Sequence, residues 1–192
     1  MIVGVLLAGG KSERMGEDKG SLVLGTGETM GARALCVLRA VCDEVVCAGH
    51  GRGVPADVVR IDDSGNGPLV ALAGTLAHVA RSHPACAFVV LPVDMPGVDE
   101  DLLRRLLAVA EGAVAACFTI EARVEPLPVV LAAAARAALV DAAARGERRL
   151  GEAVRALAPA TVALSLAQAW QLSNLNTRAE FDAVSGHLPR PR

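Results

Sequence analysis

The chain has 192 residues, 53% of them hydrophobic, a formal net charge of −2, and aromatic residues at only 2% of positions, with one tryptophan and no tyrosine. That length supports one substantial domain around an aliphatic core. Balanced charge without a basic block argues against nucleic acid as a partner, and the shortage of aromatic rings argues against base- or sugar-stacking platforms.

In chain order, the first apolar run, residues 2–8, is continuous rather than alternating, as in a strand covered on both faces. Its setting, "MIVGVLLAGG", is too short for a bilayer span and lacks a basic leader, so neither a membrane helix nor a signal peptide is expected. Residues 29–41 have helical period, and apolar runs follow at 44–48 and 58–61. Residues 69–82 predict a helix, 87–93 a strand, and 100–111 a helix with Asp99 as its N-cap. A strand at 114–119 precedes "RVEPLPVV", residues 123–130, whose two prolines suit an edge strand or a connection better than a central strand. The Ala-rich residues 132–145 predict a covering helix, and 161–164 a last strand.

Strand and helix alternate, so the expected fold is α/β: a doubly wound, mostly parallel sheet in three layers. A single domain over residues 1–188 and a frayed tail at 189–192 complete the expectation. Cys36, Cys42, Cys47, Cys86 and Cys117 are odd in number, sit in apolar contexts and form no CxxC or Cys/His ligand set, which predicts buried free thiols in a reducing cytoplasm.

The loop after the first strand concentrates the chemistry. In an open α/β sheet ligands bind beyond the carboxyl ends of the strands, where residues 9–18 would lie. Gly9 and Gly10 leave their amides open to phosphate oxygens, and Lys11, Arg14 and Lys19 supply positive charge. Both of the chain's lysines fall in this stretch, and lysine is a compact point charge suited to a phosphate clamp. A tight turn with solvated charges is the alternative reading of a bare Gly-Gly. Neither a Walker loop nor a GxGxxG fingerprint is present.

The full string "LAGGKSERMGEDKGSLVLG" resembles the signature L-A-G-G-x-S-x-R-M-G-x-D-K-x-x-L of molybdenum cofactor guanylyltransferases, the MobA-like branch of the nucleotidyltransferase fold, at every fixed position. "DSGNGPLVALAG", residues 63–74, is similar to that family's acid followed by G-P-L and a helix; "LPVDMP" to its P-x-D-x-P; and "NLNT" to its late N-x-N-T, all in the family's order. "EPLPVVL" and "GERRL" are weaker echoes of acceptor-side segments.

The resemblance implies that Leu7, Ala8, Gly9 and Gly10 contact the nucleotide, that Lys19 binds its phosphates, and that Asp63, with Asp62 as the alternative, holds the guanosine. Gly67 and Pro68 would open a helix whose free amides contact an anion or a base edge, unless they are only its N-terminal punctuation. Asp94 is the expected Mg²⁺ ligand, a cation held by one or two carboxylates with substrate phosphates and water; capping a turn at Pro96 is the plain alternative. Thr177 fits as an N-cap for a short helix over "RAEFDAV", and capping is an alternative reading of Asn176 too; the resemblance implies that Asn174 and Asn176 line the metal and acceptor side of the pocket. The implied reaction joins the phosphate of molybdopterin to the α-phosphorus of GTP and releases pyrophosphate, with Arg14, Lys19 and Asp94 as its catalytic set.

By the same resemblance, the second glycine of "LAGG" favours the guanylyl branch over the similar cytidylyltransferases, which tend to have L-A-A-G, and the G-P-L motif supports guanine as well. Transfer from CTP or to another phosphorylated acceptor is the runner-up, followed by a nucleotide-binding module without turnover. The family's Asn after the second strand is replaced here by Gly49 or His50, and Gly97 stands where a bulky residue is common. A cytoplasmic enzyme with no membrane contact is expected, its protein contacts limited to transient ones with molybdoenzymes or other cofactor-biosynthesis proteins.

Overall fold

The computed structural model describes residues 1–9, 18–61, 66–185 and 188. In chain order these form β1 (Ile2–Leu7), α1 (Met30–Arg39), β2 (Glu44–Ala48), β3 (Val59–Ile61), α2 (Pro68–Val79), β4 (Ala87–Pro92), α3 (Glu100–Val109), β5 (Ala115–Ile120), β6 (Arg123–Leu131), α4 (Ala135–Ala144), α5 (Leu150–Arg155), β7 (Ala160–Leu164) and α6 (Arg178–Ser185). The strands make one sheet in the order β3-β2-β1-β4-β6-β5-β7. All pairings are parallel except those of β6, which is antiparallel to β4 and β5.

Side chains on a strand alternate between faces, and both faces are covered here. Val3 and Val5 of β1, with Phe88 and Val90 of β4, join Leu69, Leu72 and Leu76 of α2, Leu139 of α4 and Val154 of α5 in one cluster. Leu6, Val89 and Leu91 join Leu35 and Leu38 of α1, Leu103 and Leu106 of α3 and Phe181 of α6 in the other. The result is the expected three-layer, mostly parallel α/β architecture with an aliphatic core. Leu188 belongs to the second cluster; the expected tail, 189–192, lies outside the described residues.

The caps follow the sequence. The Thr29 side chain accepts from the Ala32 amide at 3.1 Å, and Asp99 accepts from Leu102 at 2.9 Å. Thr177 accepts from Glu180 at 3.2 Å, at the start of the expected short helix.

Two expectations are corrected. Residues 123–130 belong to an interior strand, not to an edge or a connection. Its prolines are tolerated because β6 pairs with β5 through Arg123, Val124 and Glu125 ahead of them and through Val130 and Leu131 beyond them, and with β4 only through Val129, Val130 and Leu131. Pro126 and Pro128 occupy the interval where the β5 register shifts, so no ladder bond there needs their missing N–H groups. Cys36 is also exposed, on the solvent side of α1, rather than buried. Cys47, Cys86 and Cys117 are buried as expected and Cys42 is only half-buried; burial pushes the Cys42 and Cys117 thiols up to about 12.

Candidate functional site

From β1 the chain runs outward to β2 and β3 on one side and then returns past β1 to β4 on the other, so the strand order reverses between β1 and β4. A crevice opens at such a switch point. The pairing continues one step past the strands, with the Val93 amide donating to the Leu7 carbonyl at 3.0 Å, and this leaves Asp94 at the rim. On the other side the Ala8 amide donates to the Ala48 carbonyl at 3.0 Å. A cleft of about 280 Å³ lies over these ends, lined by Leu7, Ala8 and Gly9, by Asp18, Lys19 and Gly20, by Pro68, by Pro92, Val93 and Asp94, and by Leu127 and Asn174.

Lys19 opens a single 3₁₀ turn whose N-cap, Asp18, accepts from the Gly20 amide at 2.9 Å. From there Lys19 Nζ donates to Asp94 Oδ2 at 2.8 Å and to Asn176 Oδ1 at 2.6 Å. The Lys19 and Asp94 side chains are 17% and 20% exposed, so the pair is sheltered yet reachable from the cleft. Asn176 is delivered by backbone pairing: the Leu175 amide donates to the Asp94 carbonyl at 2.8 Å. The Glu180 carboxylate then accepts from the Asn176 and Thr177 amides at 2.7 and 2.9 Å, and these two bonds hold its pKa below the usual glutamate value.

The Lys19 turn is seated on glycine. A Cβ at Gly53 would stand 1.6 Å from the Gly20 carbonyl oxygen, and one at Gly31 would stand 2.7 Å from the Gly53 carbonyl. Only bare backbone allows the loop after β2, the Lys19 turn and the start of α1 to meet. Asp18 ties two of these pieces together, because its second oxygen accepts from the Arg52 amide at 3.2 Å. The same loop presses on the floor of the cleft, where a Cβ at Gly51 would come within 2.7 Å of Ala8 Cβ.

The structure therefore brings together Leu7, Ala8, Gly9, Lys19, Pro68, Asp94, Asn174 and Asn176. Gly67 precedes Pro68 at the start of α2 with φ +98°, a conformation that favours glycine. Gly10, Arg14 and Asp63, along with Lys11 and Asp62, lie outside the described residues. Gly49 spends its amide on the Ile61 carbonyl at 2.8 Å, and His50 beside it is exposed. Sequence reading gave no role to Asp18 or Leu127. Asp18 carried a legible signal, an acid two residues before a glycine in a turn, whereas Leu127 sits between the prolines that disguised β6.

Chemically, the described residues of the site offer one lysine ammonium among oxygen ligands at the carboxyl ends of parallel strands β1 and β4. Among the described residues no three His, Cys, Asp or Glu side chains gather as a metal cage. The oxygen pair of Asp94 and Asn176 already converges on one cation, the Lys19 ammonium, and such a partial set suits a hard divalent ion completed by substrate phosphates and water.

The layered α/β sheet with its cleft at this switch point has the architecture of the nucleotidyltransferase fold. Molybdopterin-guanine dinucleotide biosynthesis protein A from Archaeoglobus fulgidus matches it with a TM-score of 0.70 at 21% identity, over 96% of this chain and 97% of that one. Residues 4–162 match the MobA-like NTP transferase domain, and the chain belongs to that family. A molybdenum cofactor guanylyltransferase of Xanthomonas euvesicatoria is 32% identical over 97% of this chain and 95% of its own length. A probable molybdenum cofactor guanylyltransferase of Mycobacterium ulcerans is 40% identical over 111 residues, and there the match spans 55% of each chain.

Proposed function

We propose that the protein is a molybdenum cofactor guanylyltransferase, transferring GMP from GTP to the phosphate of molybdopterin. The relatives that it matches along nearly their whole length carry that activity in their names. The observation that carries the reading is the convergence of Lys19, Asp94 and Asn176, drawn from segments 75 and 157 residues apart, on the cleft at the switch point.

A phosphate oxygen of the acceptor attacks the α-phosphorus of GTP, the bond from that phosphorus to the bridging oxygen breaks, and pyrophosphate leaves. A phosphate monoester is already largely ionised at neutral pH, with a second pKa of about 6, so no protein base is needed. Catalysis is left to positioning and to charge neutralisation. Lys19 and Arg14 offset the charge gathering on the departing pyrophosphate. The 3₁₀ turn and its glycine seat hold the Lys19 backbone in place before substrate arrives. Leu7 to Gly10, with Gly67 and Pro68, approach the nucleotide through backbone, and Asp63 holds the guanosine.

Asp94, with Asn174 and Asn176 beside it, would hold Mg²⁺, which supplies electrophilic activation of the phosphoryl group when bound. Five free thiols fit a reducing cytoplasmic setting for this chemistry.

The test is pyrophosphate release by the purified protein with Mg²⁺, molybdopterin and, in parallel, GTP, CTP, ATP or UTP. Release confined to GTP is expected. Release with CTP alone would move the protein to cytidylyl transfer, and binding of GTP without release would make it a nucleotide-binding module.

A further inference from the structure

We infer that Arg33 is a positioning residue for Asp94, acting through the main-chain carbonyl of Pro96. Arg33 lies on the inward face of α1, 2% exposed, on a helix whose neighbouring Met30, Ala34 and Val37 are buried. An aliphatic side chain would meet the demand for burial at that position. A guanidinium taken out of water is costly unless its N–H groups are paired, so its partners show what it is for. Nε donates to the Pro96 carbonyl at 2.6 Å, and Nη1 donates to Glu28 Oε1 at 3.1 Å, an acid just ahead of the helix.

Pro96 stands two residues after Asp94. The backbone bonds within this loop are long: Met95 N to Pro92 O at 3.4 Å and Val98 N to Met95 O at 3.2 Å. The shorter bonds come from outside it. Leu175 N holds the Asp94 carbonyl from one direction, and Arg33 holds the Pro96 carbonyl from α1. Gly97 rests against Gln171 so closely that a Cβ would come within 2.8 Å of Gln171 Cα.

The same first turns of α1 also fix Lys19. The Met30 amide donates to the Leu22 carbonyl at 2.9 Å, Thr29 Oγ1 donates to the Gly53 carbonyl at 3.1 Å, and Gly31 packs on the Gly20 carbonyl. One rigid helix end thus references both members of the Lys19–Asp94 pair, and Arg33 is its arm to the Asp94 side. Sequence reading assigned no role to Arg33, because a lone arginine on a helix reads as a solvated residue.

The turnover half of the test rests on the proposed function; the local-order half does not. Arg33→Met keeps the size of the side chain and removes its donors. The expected result is a kcat lowered at least about tenfold with the KM for GTP within about threefold of wild type, the split of a residue that orders the reacting groups rather than binding nucleotide. Hydrogen exchange at the Leu175 and Val98 amides is expected to accelerate at least about tenfold, while Val5 and Val90 in the sheet keep their protection. A kcat within about threefold of wild type, or exchange that rises evenly through the sheet, would overturn the inference. If Arg33→Met does not fold, Arg33→Lys decides by the same two readouts: one amine cannot span the Pro96 carbonyl and the Glu28 carboxylate together, so an intermediate loss supports the inference and wild-type values overturn it. If the wild-type protein releases no pyrophosphate, the proposed function fails and amide exchange alone decides on Arg33.

Discussion

Strands β1 and β4, which carry the cleft, and strands β5 and β6, which flank it, bury similar aliphatic side chains but end differently. β1 and β4 keep one parallel register from Ile2 and Ala87 to Leu7 and Pro92, then release Gly9 on one side and Asp94 on the other. β5 and β6 run antiparallel, slip register between Ala116 and Phe118, and close in a turn at Glu121 and Ala122 with φ +48° and +64°. In the first region backbone contacts are the working parts, since the Lys19 turn and the Asp94 loop are held by carbonyls, amides and glycines. In the second, filled volume does the work: Phe118, Val130 and Leu131 are at most 2% exposed. Substitutions should therefore cost turnover in one region and stability in the other.

The largest effect expected is in the flanking region. Phe118→Ala should lower unfolding free energy by about 3–5 kcal/mol in urea titrations while leaving the KM for nucleotide unchanged in the folded fraction. Lys19→Ala should reverse that pattern, with turnover down at least about a hundredfold, equivalent to about 2.7 kcal/mol, and little change in melting temperature. Gly53→Ala tests whether glycine contact really seats the lysine. It has to displace the Lys19 turn, so it should cost about 1–3 kcal/mol of stability and reduce turnover as well. Gly74→Ala, on the exposed side of α2 with nothing within 4 Å of the added carbon, should instead stabilise the fold by about 0.5–1 kcal/mol without touching turnover.

The smallest effect concerns pH. Hydrogen bonds from Asn176 and Thr177 lower the folded-state pKa of Glu180, so its contribution is complete above the ordinary value of 4.5 and disappears as pH falls through the lowered one. Glu180→Gln should melt slightly earlier than wild type at neutral pH, and the two curves should converge in acid.

How much could be read in advance follows the same division. Continuous apolar runs marked β1, β2 and β4 because parallel strands covered on both faces leave no polar alternation to confuse the pattern. Asp94 and Lys19 were legible because each stands at the end of such a run or within a long motif. β6 was misplaced because a proline rule made for regular ladders does not cover a strand whose prolines fall within a register shift. Helix α5, six residues long, is too short to display a period. Arg33 and the Gly20–Gly31–Gly53 contact were invisible for another reason: their roles arise only when segments distant in sequence are brought face to face.

The most direct test of the central claim, that Lys19, Asp94 and Asn176 form the phosphate-handling centre, is pyrophosphate release by Asp94→Asn alongside wild type across a Mg²⁺ titration. This substitution keeps the side chain's shape and removes its charge. Turnover reduced at least about a hundredfold at every Mg²⁺ concentration, with the fold and GTP binding retained, is the predicted result. Turnover close to wild type at ordinary Mg²⁺ would contradict the account.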